Sequence, residues 1–347
     1  MAQTIKSMVN PTHNMDKFNS TINIRGTGIA LPEHIVQSSQ IDASQGWPEG
    51  QTEKTTGVAS RHYVTHETPI SMAVAAIEQA LDNSDITLDD IDCIISASST
   101  LEQLIPCTAA KIHKQLPLTH PIPAFDINMT CLSAVKALDV AHALLSTQRY
   151  KNILIVSSEI ASIGLDWSVR ETGGLFGDGA AALIVSQEKQ NATQVLASHF
   201  ETYSEGFDFC QVRGYGTLHQ PSKTEGDYHP YELFEMKGKS VFKMTALHIK
   251  GFVERTLAKT PYQIDDLDWI IPHQASQLGL QHIEKWFKIA PGKMVNILKN
   301  RGNQIATSIP SALHELLKSG KVNSGDKVML LGFSAGLSFG AIILEIG

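Results

Sequence analysis

A cysteine with the setting of a nucleophile follows a strand-like segment. Cys131 comes after PIPAFDIN and opens an apolar helical run at 132–145. The free N–H groups and the positive dipole end at a helix N-terminus stabilise a thiolate, so we expect Cys131 to act as a nucleophile. Cys107, which follows Pro106, also opens a helix and is the competing candidate. Cys93 lies in the middle of a strand, and we expect it to be an inert core thiol.

Two further side chains follow strands in the second half of the chain. His273 comes after LDWII in IIPHQAS, and Asn303 follows Gly302 before a helix in RGNQIATSIP. Ligands of α/β sheets bind beyond the carboxyl ends of the strands, where this histidine is placed. Each residue alone also has a structural interpretation, as a hydrogen-bonded histidine and as a capping or turn asparagine. The turn GFSAG at 332–336 either offers backbone N–H groups to a substrate carbonyl or is only a tight hairpin turn.

The elements that would position these residues alternate along the chain. Buried strands are predicted at 91–97, 123–127, 152–157, 180–185, 267–271, 328–332 and 341–345. Helices are predicted at 71–81, 108–115, 132–145, 243–257, 277–286 and 308–317. Strands that alternate with helices indicate parallel-rich sheets covered by helices, so the predicted fold class is α/β.

The second half repeats part of the first. Shifted by 176 positions, residues 77–95 lie on 253–271 without a gap, with seven identities and a shared turn D-D-(I/L)-D. Chance similarity of two helix–turn–strand units is the alternative to a duplication. We expect a flexible N-terminal tail at 1–20, a half at 21–190 that carries the cysteine, and a half at 191–347 that carries the histidine and asparagine. The Gly- and Tyr-rich stretch 201–231 is predicted to be a long loop that shapes substrate access.

Composition excludes several classes of protein. The chain has 347 residues, of which 42% are hydrophobic and 18% charged, so the bulk of it is not disordered. A net charge of −7 without a basic run argues against nucleic acid as a partner. Four cysteines without a C-x-x-C pair and fourteen scattered histidines argue against a metal site. No apolar stretch of membrane-spanning length and no secretory h-region occur, so we expect a cytoplasmic protein without a membrane span.

Taken together, the motifs resemble those of one enzyme family. NMTCLSAVKAL, LFGDGAAALIV, IIPHQAS, RGNQIATSIP and GFSAGLSFGAIILEI resemble, in this order and spacing, the 3-oxoacyl-acyl-carrier-protein synthase III family of thiolase-like condensing enzymes. LPEHIV, TGVASRHY and MKGKSVFKMT match further segments, so the resemblance runs from about Ile22 to the C-terminus. It implies a thiolase-like αβαβα layered fold made of two duplicated halves related by a pseudo-twofold axis.

The resemblance also implies roles for individual residues. Cys131 would accept the acyl group of a thioester, and His273 and Asn303 would bind the thioester carbonyl of a malonyl-type extender during decarboxylative Claisen condensation. The backbone N–H groups of Cys131 and Ala335 would form the oxyanion hole. Phe333 would gate the cysteine pocket, and Ile105 would reach into the acyl pocket across a homodimer interface. Coenzyme A or acyl-carrier-protein thioesters would be the substrates, with no cofactor and no metal.

Four departures from the family pattern concern the substrate. The family usually has asparagine and arginine where this chain has Ser276 and Leu278, and arginine where it has Thr55. Such basic residues serve coenzyme A phosphates or the carrier-protein surface. Ile105 also replaces a frequent large aromatic residue, which indicates an acyl group longer than acetyl. We therefore expect a specialised member, of fatty acid or secondary-metabolite synthesis, with a non-standard acyl donor or acceptor.

Other uses of a Cys-His-Asn set remain open at this level. Papain-like proteases have the three residues in the same chain order, but this sequence lacks their C-G-S-C-W-type signature. A thioester hydrolase, a non-condensing acyltransferase and a non-catalytic acyl-binding relative are the remaining alternatives. The sequence does not identify the acyl donor, the acceptor, the carrier or the pathway.

Overall fold

The computed structural model describes residues 21–187 and 192–347. Its α-helices are α1 (Ser38–Gln45), α2 (Gln51–Thr56), α3 (Pro69–Asp82), α4 (Thr108–Gln115), α5 (Ser133–Ser146), α6 (Arg170–Gly173), α7 (His229–Glu232), α8 (Gly238–Leu257), α9 (Gln277–Phe287), α10 (Leu298–Arg301) and α11 (Ser308–Lys318). Its strands are β1 (Asn23–Ala30), β2 (Ile35–Gln37), β3 (Ser60–His62), β4 (Cys93–Ser96), β5 (Ala124–Asp126), β6 (Asn152–Glu159), β7 (Gly179–Ser186), β8 (Gln194–Thr202), β9 (Cys210–Gln211), β10 (Glu235–Met236), β11 (Trp269–Pro272), β12 (Lys327–Ser334) and β13 (Ser338–Glu345).

Two main sheets follow the same plan. The first has five strands in the order β1-β7-β6-β4-β5, and the second has four in the order β8-β13-β12-β11. In the first sheet, the parallel pair β4–β6 continues into the antiparallel strands β7 and β1. In the second sheet, the parallel pair β11–β12 continues into the antiparallel strands β13 and β8. Met294 forms a parallel bridge with Ile270 of β11, at the edge of the second sheet that corresponds to the position of β5 in the first. The two sheets therefore have equivalent topologies.

The sheets and helices form five layers. Side chains alternate between the two faces of a strand. One face of each sheet packs against α5 and α11, which together fill the centre of the molecule. The other face of the five-stranded sheet is covered by α3 and α4, and that of the four-stranded sheet by α8 and α9. This αβαβα arrangement confirms the predicted fold class.

The internal repeat in the sequence corresponds to repeated structure. Single 3-10 turns at Leu88–Asp90 and Ile264–Asp266 lie 176 positions apart, as do β4 and β11. Asp92 in the first copy accepts N–H bonds from Lys151 and Asn152 at the start of β6. Asp268 in the second copy accepts the N–H of Lys327 at the start of β12. The identical aspartates therefore hold equivalent strands, which favours duplication over chance similarity.

The sequence analysis missed the edge strands β1 and β8. Strand β1 was not predicted because it contains glycines, which are rare in strands. A Cβ at Gly26 would lie 2.1 Å from the backbone oxygen of Ala80 in α3, and a Cβ at Gly28 would lie 2.1 Å from that of Ala76. Helix α3 therefore lies directly on the backbone of β1, and only glycine permits that approach. The predicted loop 201–231 begins within β8, and it contains β9, which pairs with β10.

Two expectations concern the limits of the halves. The predicted tail at 1–20 lies outside the described residues, and so does the predicted boundary between 190 and 191. Both remain predictions. In the ranges that the structure covers, no helix combines the length and apolar character needed to cross a membrane.

Candidate active site

Cys131 lies in a single 3-10 turn, Thr130–Leu132, which runs directly into α5. We call it the cysteine turn. Its first residue, Thr130, has a φ of 49°, in the left-handed region that a β-branched residue rarely adopts. Asn128 holds this conformation, because its Oδ1 accepts the N–H of Thr130 at 2.9 Å. The predicted position of Cys131 at the start of a helix is confirmed.

The electrostatic setting of Cys131 differs from the expectation. Burial, with smaller contributions from the neighbouring Cys210 and Glu159, raises the pKa of its thiol to about 12. The N–H groups of Cys131 and Ala335 face the sulfur and lower the pKa, but their effect is smaller than that of burial. The expectation of a thiolate stabilised in the free protein is therefore wrong, because desolvation outweighs the donors at the helix start.

Ala335 belongs to the turn that joins β12 to β13. The hydroxyl of Thr130 donates to the backbone oxygen of Ala335 at 3.4 Å, so this turn and the cysteine turn contact each other. Gly336 follows with a φ of 117°, a conformation suited to glycine. The N–H groups of Cys131 and Ala335 thus converge on the Cys131 sulfur, and their role as an oxyanion hole stays a prediction.

His273 directly follows β11 and is only 3% exposed. Its N–H donates to the oxygen of Leu331 in β12 at 2.7 Å, which fixes the backbone. Burial lowers the pKa of the imidazole to about 4, so the ring is neutral at pH 7. Nδ1 is buried and has no hydrogen-bond partner within the described ranges. A neutral ring can donate from one nitrogen and accept at the other.

Gln274 is a positioning residue that the sequence analysis did not identify. Its side chain is fully buried, and its Nε2 donates to the oxygen of Pro272 at 2.7 Å. Its Oε1 accepts the N–H groups of Ile297 and Leu298 at 2.9 and 3.2 Å. One amide therefore joins the end of β11 to the segment that leads to Asn303. The only signal in the sequence was a polar residue next to the histidine in IIPHQAS.

Asn303 precedes a second 3-10 turn, Ile305–Thr307, which we call the alanine turn after its central Ala306. Its Oδ1 accepts the N–H of Ile305 at 2.9 Å, which leaves the Nδ2 end of the amide to face away from the turn. Its backbone N–H donates to Leu175 at 2.9 Å and its oxygen accepts from Gly177 at 3.1 Å. The capping interpretation was therefore correct for one end of this amide, and the other end is available to a ligand.

Close packing brings the histidine towards the cysteine turn. A Cβ at Gly332 of β12 would lie 2.9 Å from Cδ2 of Leu132 and 3.2 Å from Cβ of His273. The absence of a side chain at Gly332 thus permits both neighbours to approach. The ring of Phe333 lies edge-on to that of His273, with centroids 6.2 Å apart and an angle of 84°. The cysteine turn also packs against the alanine turn. The structure therefore gathers Cys131, His273, the Asn303 segment, Phe333 and Ala335.

Comparisons with known proteins agree with this geometry. Family models described as "3-Oxoacyl-[acyl-carrier-protein (ACP)] synthase III" and its "C terminal" match residues 125–204 and 257–346, respectively. A beta-ketoacyl-acyl-carrier-protein synthase III of Agrobacterium fabrum is 34% identical over 327 residues, which is 93% of this chain and 98% of the relative. The chain belongs to the 3-oxoacyl-acyl-carrier-protein synthase III family.

Other family members extend the likeness to structure. The synthase III of Trichodesmium erythraeum is 34% identical over 337 residues, covering 94% of this chain and 99% of the relative. The crystal structure of synthase III from Aquifex aeolicus VF5 superposes with a TM-score of 0.84 at 27% identity, covering 93% of this chain and 99% of that one. The resemblance inferred from the motifs and the thiolase-like fold are both confirmed.

Ile105 lies apart from the cluster in this synthase III chain. It is 85% exposed, in the loop between β4 and α4. Ser276 serves as the N-cap of α9, and its Oγ accepts the N–H of Gly279 at 3.1 Å. Leu278 is 60% exposed on the same helix, and Thr55 is exposed in α2. No basic side chain stands at these three positions.

The chemistry of the site depends on side chains and backbone donors. Within residues 21–187 and 192–347, no three His, Cys, Asp or Glu side chains are grouped to hold a metal ion. That the protein uses no cofactor remains a prediction. What the site provides is the thiol of Cys131, two N–H groups aimed at its sulfur, a neutral imidazole and an amide with one free end.

The buried imidazole predicts a pH dependence of stability. An unfolded histidine takes up a proton near 6.5, whereas folded His273 does so only near 4, so acid favours the unfolded state between these values. Compared with His273→Gln, the wild-type protein should lose up to about 3 kcal/mol of unfolding free energy between pH 6.5 and pH 4. Urea denaturation across this range measures the difference. A constant difference between the two proteins would show that His273 does not titrate in this way.

Proposed function

We propose that the chain is a β-ketoacyl synthase that loads an acyl group onto Cys131 and condenses it with a malonyl-type thioester. The observation that carries the proposal is the pair of N–H groups, from Cys131 and Ala335, that face the Cys131 sulfur. An acyl thioester formed there would direct its carbonyl oxygen at the same donors, as an oxyanion hole requires. The substrates are thioesters of coenzyme A or of an acyl carrier protein, and no cofactor takes part.

The first step is transfer of the acyl group. The sulfur attacks the thioester carbon of the donor, the bond to the leaving sulfur breaks, and the thiol proton passes to the departing thiolate. Because burial holds the free Cys131 thiol protonated, the proton has to leave as the sulfur attacks. A thiol that reacts only beside a bound thioester is protected from other electrophiles.

The second step forms the carbon–carbon bond. The malonyl group loses CO2, and the electron pair of the broken bond passes to the thioester carbonyl, which becomes an enolate. The neutral ring of His273 and the free amide end of Asn303 would donate to that enolate oxygen. The enolate carbon attacks the acyl group on Cys131, and the 3-oxoacyl product leaves as the cysteine sulfur regains a proton.

We further infer a homodimer in which Ile105 completes the acyl pocket of the partner. The loop between β4 and α4 exposes Leu101, Leu104 and Ile105, and apolar patches of this kind mark interfaces. Strand β5 lies at the edge of the five-stranded sheet and pairs with β4 alone in the described part of the chain. Such an edge is a template for pairing with another chain.

We also propose a non-standard acyl donor or acceptor. The exposed apolar Leu278, the capping Ser276 and Thr55 replace side chains that would bind phosphate groups or a carrier surface. The cytoplasmic location expected from the sequence stays a prediction beside this proposal.

The two steps predict different effects of substitution. Cys131→Ala should abolish acyl-enzyme formation from acyl-coenzyme A. His273→Ala and Asn303→Ala should leave acylation within about tenfold but slow release of labelled CO2 from a malonyl thioester by roughly a hundredfold or more. Intact-protein mass and product analysis measure the two steps. The role assignment is wrong if these two variants block acylation alone, and free acid as the main product would indicate a hydrolase.

The proposed donor predicts a chain-length preference. Acylation by a series from acetyl- to dodecanoyl-coenzyme A should be faster with chains longer than acetyl. Ile105→Phe should lower the ratio of long-chain to acetyl transfer by about tenfold, since it narrows the pocket. Leu104→Phe, in the same exposed loop, is the matched control and should leave the ratio unchanged. A wild-type protein that accepts only acetyl groups would contradict a specialised donor.

A further inference from the structure

A buried carboxyl group lies beside the site and takes no part in the two steps above. Glu159 ends β6 and is 0% exposed. Its Oε1 accepts the N–H of Ser99 at 2.7 Å, and its Oε2 accepts the N–H and hydroxyl of Thr100 at 2.8 and 2.6 Å. The N–H of Ala306 faces the same carboxyl, whose pKa burial raises to about 7. Burial of a carboxyl is costly unless such donors surround it.

The pseudo-twofold relation places Glu159 at the position in the first sheet that Ser334 occupies in the second. Glu159 and Ser334 are the last residues of β6 and β12, two strands of eight residues that each pair end to end with the next strand. Ala306 is the central residue of the alanine turn, as Cys131 is of the cysteine turn. In the first copy, N–H groups face the Cys131 sulfur. In the second copy, the N–H of Ala306 is the equivalent of the Cys131 N–H, and it faces the Glu159 carboxyl. This donor is therefore occupied by a group of the protein itself.

Through this carboxyl, the alanine turn is held on the end of β6. A second contact at the same place is the hydroxyl of Thr307, which donates to Oγ of Ser157 at 3.0 Å. The alanine turn also fixes Asn303, because the N–H of Ile305 donates to Oδ1 of Asn303 at 2.9 Å. The Ala306 N–H that faces Glu159 thus links this carboxyl to Asn303 through one turn.

We propose that Glu159 is a positioning residue for the condensing step. Its carboxyl holds the alanine turn, and thereby Asn303, in the place from which the free end of the amide meets the extender thioester. The inference rests on the proposed function, since it concerns the step assigned to Asn303. It separates the two steps, because Asn303 is assigned to condensation alone, whereas the effect of Glu159 on Cys131 is to raise the pKa of the thiol.

The test uses Glu159→Gln in the full-length protein with acyl-coenzyme A and a malonyl thioester. The amide keeps the volume but turns an NH2 group towards backbone N–H donors. Acylation of Cys131 should not slow, because the loss of the Glu159 carboxylate removes one cause of the raised pKa of the thiol. CO2 release should slow by roughly tenfold to a hundredfold, as expected for a misplaced group. In an Asn303→Ala background, Glu159→Gln should slow CO2 release by less than about twofold more, because both act through one amide.

Asp178→Asn is the matched control. Asp178 is also a buried carboxyl; it accepts bonds from Val64 and Ser162 and immediately precedes Gly179, which pairs with Glu159. Asp178→Asn should change the rates of acylation and of CO2 release by the same factor. If Glu159→Gln does not fold, Thr100→Val removes one donor and should slow CO2 release selectively, and Thr100→Ser should restore it.

An equal fall of acylation and condensation in Glu159→Gln, or an unchanged condensation rate, would overturn the inference. Full additivity with Asn303→Ala would do the same. Failure of the proposed function looks different, because the wild-type protein itself would then release no CO2 and form no 3-oxoacyl product.

Discussion

The site depends on two backbone turns held in a left-handed conformation. Thr130 and Ile305 have φ angles of 49° and 50°, which cost about 1–3 kcal/mol each for residues other than glycine. Asn128 and Asn303 hold the strained residues by accepting their N–H groups. The hydroxyls of Ser133 and Ser308 accept the N–H groups of Met129 and Gln304, which directly precede the strained residues. Each turn packs against a strand of the opposite sheet, the cysteine turn against β12 and the alanine turn against β6. Without both turns, neither the thiol nor the Asn303 amide would have its present position.

Burial then determines the protonation of the groups that the turns bring together. Desolvation raises the pKa of Cys131 and lowers that of His273, so both groups are neutral in the free protein at pH 7. A neutral site suits a reaction in which charge develops only after the substrate binds. The donors are already in place, so little reorganisation is needed when an oxyanion or enolate forms. Burial also raises the pKa of Glu159, to about 7, although its carboxyl accepts several hydrogen bonds that lower the pKa.

Much of this arrangement follows from the sequence. Apolar periodicity predicted α4 with its observed bounds and most strands of both sheets to within a few residues. The strand-to-helix position of Cys131 and the repeat of D-D-(I/L)-D were also predicted, because both depend on local pattern. The glycine strand β1 was not predicted, since its identity depends on α3 packing against its backbone. The pKa of Cys131 was wrongly predicted, because helix position is local whereas burial depends on the whole fold. The roles of Glu159 and Gln274 were not predicted, because they depend on contacts with segments far away in the sequence.

In the proposed function, one thiol, that of Cys131, carries the acyl group between two reactions in a single site. Single-turnover peptide mapping of the wild-type protein measures this. After incubation with an acyl-coenzyme A, we expect one adduct of the acyl mass, on the peptide with Cys131 and not on those with Cys93, Cys107 or Cys210. Addition of a malonyl thioester should then remove the adduct as the 3-oxoacyl product appears. An adduct on another cysteine, or one that the malonyl thioester leaves in place, would show that Cys131 does not carry the acyl group.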